Sequence, residues 1–328
     1  MRTDNPVGSG RAARAGGFLL PWPAQNWIES LALGFMQPAG MRPIGFLQPV
    51  GEAALVSADS VSWQIFKNPL ALFIGGVAAV VLELAEPRVR SGVWNHTTFR
   101  TEPVRRLQRT GLAAMVTVYG ARSVAEEMIA QIRQAHERVQ GVTESGAPYS
   151  AADPALLNWV QATACYGFLE AYCAYVRPLS LHERDCFLRE AEPAAMLYGA
   201  LGAPRSRAEM VAQFTAMRPC LEPSGILREF LGIMRGAPVL PAPLRPLQRL
   251  MVRAALAILP GWVRGTLLLD GHLRPWEQRL LRAAGGMADR LILRGAPPAE
   301  ACRRLGLPDR YLYDAPRPAI LPSCGWDF

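Results

Sequence analysis

At 328 residues, half of them hydrophobic, the chain can bury a sizeable core, which excludes disorder as its default state. Charged residues make up 19%, below the usual share of about 25%, so the protein is oily and suits an enclosed apolar cavity, a membrane surface or a partner. The formal net charge of +8 is spread along the chain rather than gathered into a basic stripe or a recognisable module, which sets nucleic-acid binding aside.

The six cysteines, at 165, 173, 186, 220, 302 and 324, form no CxxC pair and no zinc spacing with a histidine. A reducing compartment is expected, with Cys165 and Cys173 buried on a helix. Arg11 and Arg14 lead into no clean apolar run with a small-residue cleavage site. The longest uncharged run, 68–82, is shorter than the about 20 residues a spanning helix needs. The expectation is a cytoplasmic protein without a transmembrane segment, with peripheral membrane contact open and its oligomeric state undetermined.

Residues 1–25, rich in Gly, Arg and Pro, read as a flexible arm. From 27 to 50 the pattern is short and turn-broken, and 57–62 looks like a helix start. Residues 70–85 form the most apolar element. Its Gly75-Gly76 pair fits close helix packing, or close approach to a flat ligand. Glu83 and Glu86 flank this element and could include a buried acid or base. Pro87 ends it, and 91–99 reads as a connector containing His96.

A clear helix signal follows. Thr101 can cap, Glu102 suits the first turn and Pro103 the first helical position. Gly120 closes that segment. Ser123 with Glu126 reads as a capping box for the next helix. Its apolar stripe is Met128, Ile129, Ile132, Ala135, His136 and Val139, a helical period, with Gly141 as a stop. Residues 144–149 read as a turn. Asp153-Pro154 opens a helix to about 176, and Ser180 with Glu183 caps another to about 198. Further helices are expected over 207–216, 226–234, 250–259 and, bent, 262–269. Residues 276–293 are expected to be interrupted at Gly285-Gly286. The tail from 308 is Pro- and Tyr-rich. With no strand series and no repeat, the fold class is all-α: a single large domain over 26–307 with about nine to eleven helices, and a tail over 308–328 wrapping the surface.

His136 is one of four histidines and lies on an apolar stripe. A lone histidine there is either a satisfied core residue or a ligand. A nonhaem metal site would need two or three convergent ligands. Haem asks for one protein ligand, so a solitary buried histidine is compatible with it. Arg106 and Thr110, four apart, share one face of the preceding helix. Both could point at whatever His136 binds, or be a surface arginine and a back-bonded threonine. Arg105 and Arg109 lie on neighbouring faces. His96 is a distal, outer or plain loop candidate, while His182 and His272 read as exposed and structural. No GxSxG, Walker loop, HExxH or strand-borne GxGxxG occurs.

The runs GGVAAVVLELAEPRVRSGVWNHTTFRTEPVRRLQRT, VYG, HERVQG, YSAADPALLNWVQAT and RPLSLHERDCFLRE, with LP-x-x-x-R over 259–264, resemble one bacterial and fungal family. It includes the latex-clearing rubber oxygenases and the oxygenase that shortens the mycophenolic-acid side chain. The resemblance covers about residues 45–270 and implies a globin-like helical core holding haem b. It matches His136 to the proximal iron ligand, and Arg106 and Thr110 to residues that shape the oxygen pocket and the cofactor site. Arg109 stands where rubber enzymes carry a lysine able to occupy the distal iron position. A guanidinium stays protonated and makes a poor iron ligand, so a closed state of that kind is not expected. Glu86-Pro87 replaces the His-Pro of many members, and Glu86 and His96 are the candidates for distal chemistry.

The resemblance thus implies a haem-dependent oxygenase of secondary metabolism. Its substrate would be an apolar small or medium-sized metabolite, cleaved at a carbon–carbon double bond or given oxygen, with dioxygen or peroxide as co-substrate. The alternatives are a haem enzyme for rearrangement or dehydration, and a non-enzymatic binder of haem or apolar ligands.

Overall fold

The computed structural model describes residues 16–36 and 44–314 and is overwhelmingly helical. In chain order the helices are α1 (Trp22–Met36), α2 (Val61–Phe66), α3 (Pro69–Ala85), α4 (Pro87–His96), α5 (Pro103–Tyr119), α6 (Arg122–Glu137), α7 (Pro154–Tyr175) and α8 (Leu181–Glu190). There follow α9 (Glu192–Tyr198), α10 (Arg207–Met217), α11 (Gly225–Gly236), α12 (Arg245–Ala257), α13 (Gly261–Leu267), α14 (Pro275–Ala288), α15 (Pro297–Arg304) and α16 (Tyr311–Asp314). A short antiparallel hairpin, β1 (Gln140–Val142) and β2 (Pro148–Ser150), pairs Gly141 with Tyr149.

α3 is the axis of the body, in contact with α2, α4, α7, α11, α12 and α14. Its start is set locally: the Asn68 side chain accepts from the Ala71 N–H at 3.1 Å, and Pro69 occupies the first turn. A helix apolar nearly all round must be covered on every side. Its closest neighbour is α7, which approaches where Gly75 meets Gly167: a Cβ on Gly75 would lie 2.7 Å from the Gly167 carbonyl oxygen. This selects close packing as the reason for Gly75. Asn68 also ties α3 to α14, donating to the Gly285 carbonyl at 2.9 Å. Beside it Lys67, the only lysine of the chain, pairs with Asp289 at 3.2 Å, both side chains buried.

Several local expectations change. Residues 22–36 form α1 instead of a turn-broken stretch, and part of the expected arm is docked. Phe18 bridges to Leu291, with its N–H on the Arg290 carbonyl at 2.9 Å. Residues 1–15 of the arm and 315–328 of the tail lie outside the described residues. The connector 91–99 is mostly α4, because Glu86 caps it and Pro87 begins it. Thr101 does not cap α5, whose N-cap is Glu102 without a side-chain bond. The Ser123–Glu126 box does not form either: Glu52, from the loop ahead of α2, accepts from the Ser123 N–H at 2.6 Å and from its hydroxyl at 3.0 Å. Gly141 is in β1 rather than ending α6. The stretch from Ser180 splits into α8 and α9 ahead of Pro193, and α14 runs unbroken through Gly285-Gly286. α15 was not anticipated. The caps at Asp153 and Ser180 are as expected, with Ser180 Oγ accepting from the Glu183 N–H at 3.2 Å.

Among the described residues no single helix is long and apolar enough to cross a membrane. Two helix pairs reach that composition only across bends of 110° and 107°.

Candidate functional site

Four helices each contribute one polar side chain to an electrostatically coupled, half-buried group: Glu83 from α3, Arg106 from α5, His136 from α6 and, fully buried beneath them, Thr163 from α7. The sequence places His136 there by period. Ala125 and Ile129, the buried residues of α6, and His136 fall within about 40° of one another at 3.6 residues per turn. Glu83 arrives by the same logic, since Gly75, Ala79 and Glu83 follow one face of α3 and Gly75 and Ala79 are the positions that meet α7. Thr163 lies one turn before Gly167 on the facing helix.

The electrostatics follow from this enclosure. Burial pushes the Glu83 carboxyl up to about 7, against the positive charge of Arg106 and the nearby Thr163 hydroxyl, which both favour ionisation. Glu83 is thus poised to exchange a proton near neutral pH. His136 is moved the other way: burial lowers its pKa, and the Arg106 charge lowers it further, both favouring the neutral imidazole. Its Nδ1 is buried and has no hydrogen-bond partner. An unpaired buried ring nitrogen is costly unless something else engages the ring. Arg106 is itself lowered, first by burial, with Glu83 opposing and Arg109 adding to the shift.

Thr110 is exposed and back-bonded, its hydroxyl on the Arg106 carbonyl at 3.0 Å, and it also accepts a short hydrogen bond from the Arg106 guanidinium. Thr110 thus takes the back-bonded alternative of the sequence reading, and the Arg106 guanidinium reaches its hydroxyl. Arg109 is exposed on the next face. Two other candidates are engaged elsewhere. Glu86 is buried with both carboxylate oxygens taken, one by Arg88 Nε at 2.7 Å and one by the Val89 N–H at 2.7 Å, so it caps α4. His96, at the end of α4, contacts the Tyr149 hydroxyl on the hairpin at 3.1 Å through Nε2. Neither is brought to Glu83, Arg106 and His136. Sequence reasoning marked Glu83 only as a flank of an apolar run. The usable signal was that it is the one charged residue within α3. Thr163 carried no signal at all. Among the described residues, no three His, Cys, Asp or Glu side chains are grouped for a metal ion.

The half-buried carboxyl, guanidinium and imidazole of Glu83, Arg106 and His136, brought together from three helices, form the candidate site. The family model described as "ER-bound oxygenase mpaB/B'/Rubber oxygenase, catalytic domain" matches residues 63–290, more than two thirds of the chain. The protein belongs to that family, and its general class is therefore an oxygenase-type oxidoreductase. Comparison with curated proteins and with solved structures gave no match. The matched span contains all four residues of the coupled group and ends within two residues of Asp289.

Proposed function

We propose that this protein is a haem b oxygenase whose residues 26–307 form one domain around a globin-like haem core, with His136 as the iron ligand. The observation that carries this reading is the state of His136. Its buried Nδ1 has no protein partner, and burial and the Arg106 charge both favour its neutral form. His136 could serve as the single protein ligand that haem would need. When bound, haem would supply the activation of dioxygen or peroxide for oxidative cleavage of a carbon–carbon double bond, or oxygen insertion, in an apolar metabolite.

The chain's own contribution is positional and electrostatic. Arg106 fixes a positive charge beside His136 and Glu83, and its link to Thr110 sets the direction of the guanidinium. That charge can hold a carboxylate or polarise a bound oxygen atom. Glu83 holds a proton on its carboxyl at slightly acid pH and releases it just above neutrality, as a general acid or base must. Arg109, exposed on the next face, adds positive charge nearby, and a guanidinium makes a poor iron ligand. Glu86 and His96 act at a distance by holding α4 in place. The apolar faces of α3 and α7 shield one side of the group, whose Glu83, Arg106 and His136 side chains are half-buried, and this partial desolvation strengthens each of these interactions.

Ultraviolet–visible spectra of the wild type and His136→Ala, as isolated and after reduction with carbon monoxide, test the proposal. The wild type is expected to show a Soret band that shifts with carbon monoxide, and the variant to lose most of it. A wild type without that band, purified from haem-supplied cells, would overturn the reading.

A further inference from the structure

α14 gives the protein only a narrow seam. Glu277, Leu281 and Gly285 are buried at four-residue spacing. Trp276, Leu280 and Met287 face away and are 55%, 47% and 62% exposed. At 3.6 residues per turn these three fall within an arc of about 40°, with exposed Ala283 in the same stripe, more than about 100° round from the centre of the buried seam. Large apolar side chains aligned on an uncovered helix face differ from the singly scattered ones any surface carries.

The charge on α14 is one-sided as well. Its one acid, Glu277, turns inward onto Arg253 at 2.7 Å, and Asp289, just past the helix, turns inward onto Lys67 at 3.2 Å. Arg279 and Arg282 flank the apolar stripe on its outer side, and both are exposed. Arg282 Nε donates to the Ala174 carbonyl at 3.1 Å, which anchors that side chain about 120° round from Trp276, on the shoulder of α14 nearest α7. The neighbouring edge has the same character. The Phe18–Leu291 bridge follows α14, and next to Phe18 in the chain Leu19 and Trp22 are 42% and 77% exposed.

We propose that α14 docks the protein on an anionic lipid bilayer, with Trp276, Leu280 and Met287 in the headgroup–acyl boundary and Arg279 and Arg282 on lipid phosphates. A helix lying in the interface needs this arrangement: an apolar stripe, a tryptophan able to straddle the boundary, and arginines at its flank. The net charge of +8 draws the whole molecule to the same surface. A second copy is disfavoured as occupant, because two-fold packing on this stripe would set arginine rows together with no acid to receive them. The proposal is independent of the haem reading.

The test is sedimentation of the purified full chain with vesicles of phosphatidylcholine alone or with about 30% phosphatidylglycerol, an anionic lipid. The protein is expected to sediment with the anionic vesicles, less with the neutral ones, and less again as salt rises. Leu280→Asp with Met287→Asp should lower the partition coefficient roughly tenfold or more, as should Arg279→Gln with Arg282→Gln on anionic vesicles only. Circular dichroism controls for folding, and the arginine pair keeps the test valid if the aspartates unfold the chain. Absence of sedimentation, or sedimentation unchanged in the variants, overturns the proposal. So does a concentration-dependent dimer in light scattering that the aspartate variant abolishes, which would assign the stripe to self-association.

Discussion

Gly75 and Gly167 touch backbone to backbone, and neither position has room for a Cβ. Gly76, next in the chain, faces only the Phe168 ring edge, which would stand 3.9 Å from a Cβ added there. Gly167→Ala should therefore destabilise by about 1–3 kcal/mol or more, through overpacking that pushes α3 from α7. Gly76→Ala should be neutral, or stabilise by up to about 1 kcal/mol, as expected of glycine replaced within a helix. Thermal and denaturant melts of both variants check the contrast. Equal effects would mean that the crossing does not depend on Gly167.

Glu83 makes stability pH-dependent in an unusual direction for a carboxylate. Its folded pKa, about 7, lies above its ordinary value of 4.5. The folded state therefore binds the proton more tightly than the unfolded chain does. Its contribution is fully present below the unfolded value and is lost as pH rises towards the folded one, with a slope of at most about 1.4 kcal/mol per pH unit. Glu83→Gln should flatten the melting temperature between roughly pH 4.5 and 7 and leave the variant the more stable protein at about pH 8. Parallel melting profiles for the two proteins would exclude a raised Glu83.

Lys67 is the chain's only lysine, and its side chain is 1% exposed. Removing one partner of a buried ion pair strands the other, so Lys67→Met should cost about 3–5 kcal/mol. Because no other lysine competes, an amine-reactive ester should label Lys67 only as the protein unfolds. Mass spectrometry after pulses across a denaturant series measures this. Rapid labelling in native buffer would show that the Lys67–Asp289 pair is open.

Leu268 adopts φ 54° while its side chain is 82% exposed. A leucine in the left-handed region carries a penalty of about 1–2 kcal/mol, and here little packing offsets it. Leu268→Gly should raise the melting temperature despite the greater chain entropy that glycine loses on folding. A lower melting temperature would mean that Leu268 is packed against something in solution.

Most helices could be read directly from the sequence, and so could the inward face of α6. Periodicity and caps depend on residues a few places apart, and Asn68, Asp153 and Ser180 each cap by contacts of that range. The misses share a cause. The start of α6 is satisfied by Glu52 from a separate loop, so no local motif at Ser123 could report it. α1 and the docked segment at Phe18 depend on partners at the far end of the chain, such as Ile292, whose carbonyl accepts from Gln25 Nε2 at 2.7 Å. Glu86 looked like a distal acid because its position in the motif was known and its helix-capping geometry was not.

By itself the sequence determined a predominantly helical chain, the motifs that resemble the oxygenase family, the stripe that carries His136 and the Arg106–Thr110 spacing. These are consequences of short-range periodicity and of local motifs. Tertiary structure alone decided that Glu83 rather than Glu86 joins Arg106 and His136, and that Thr163 stands beside it. The reason is that desolvation and charge–charge coupling are set by chain segments remote in sequence, brought together where two glycines let α3 and α7 close to contact.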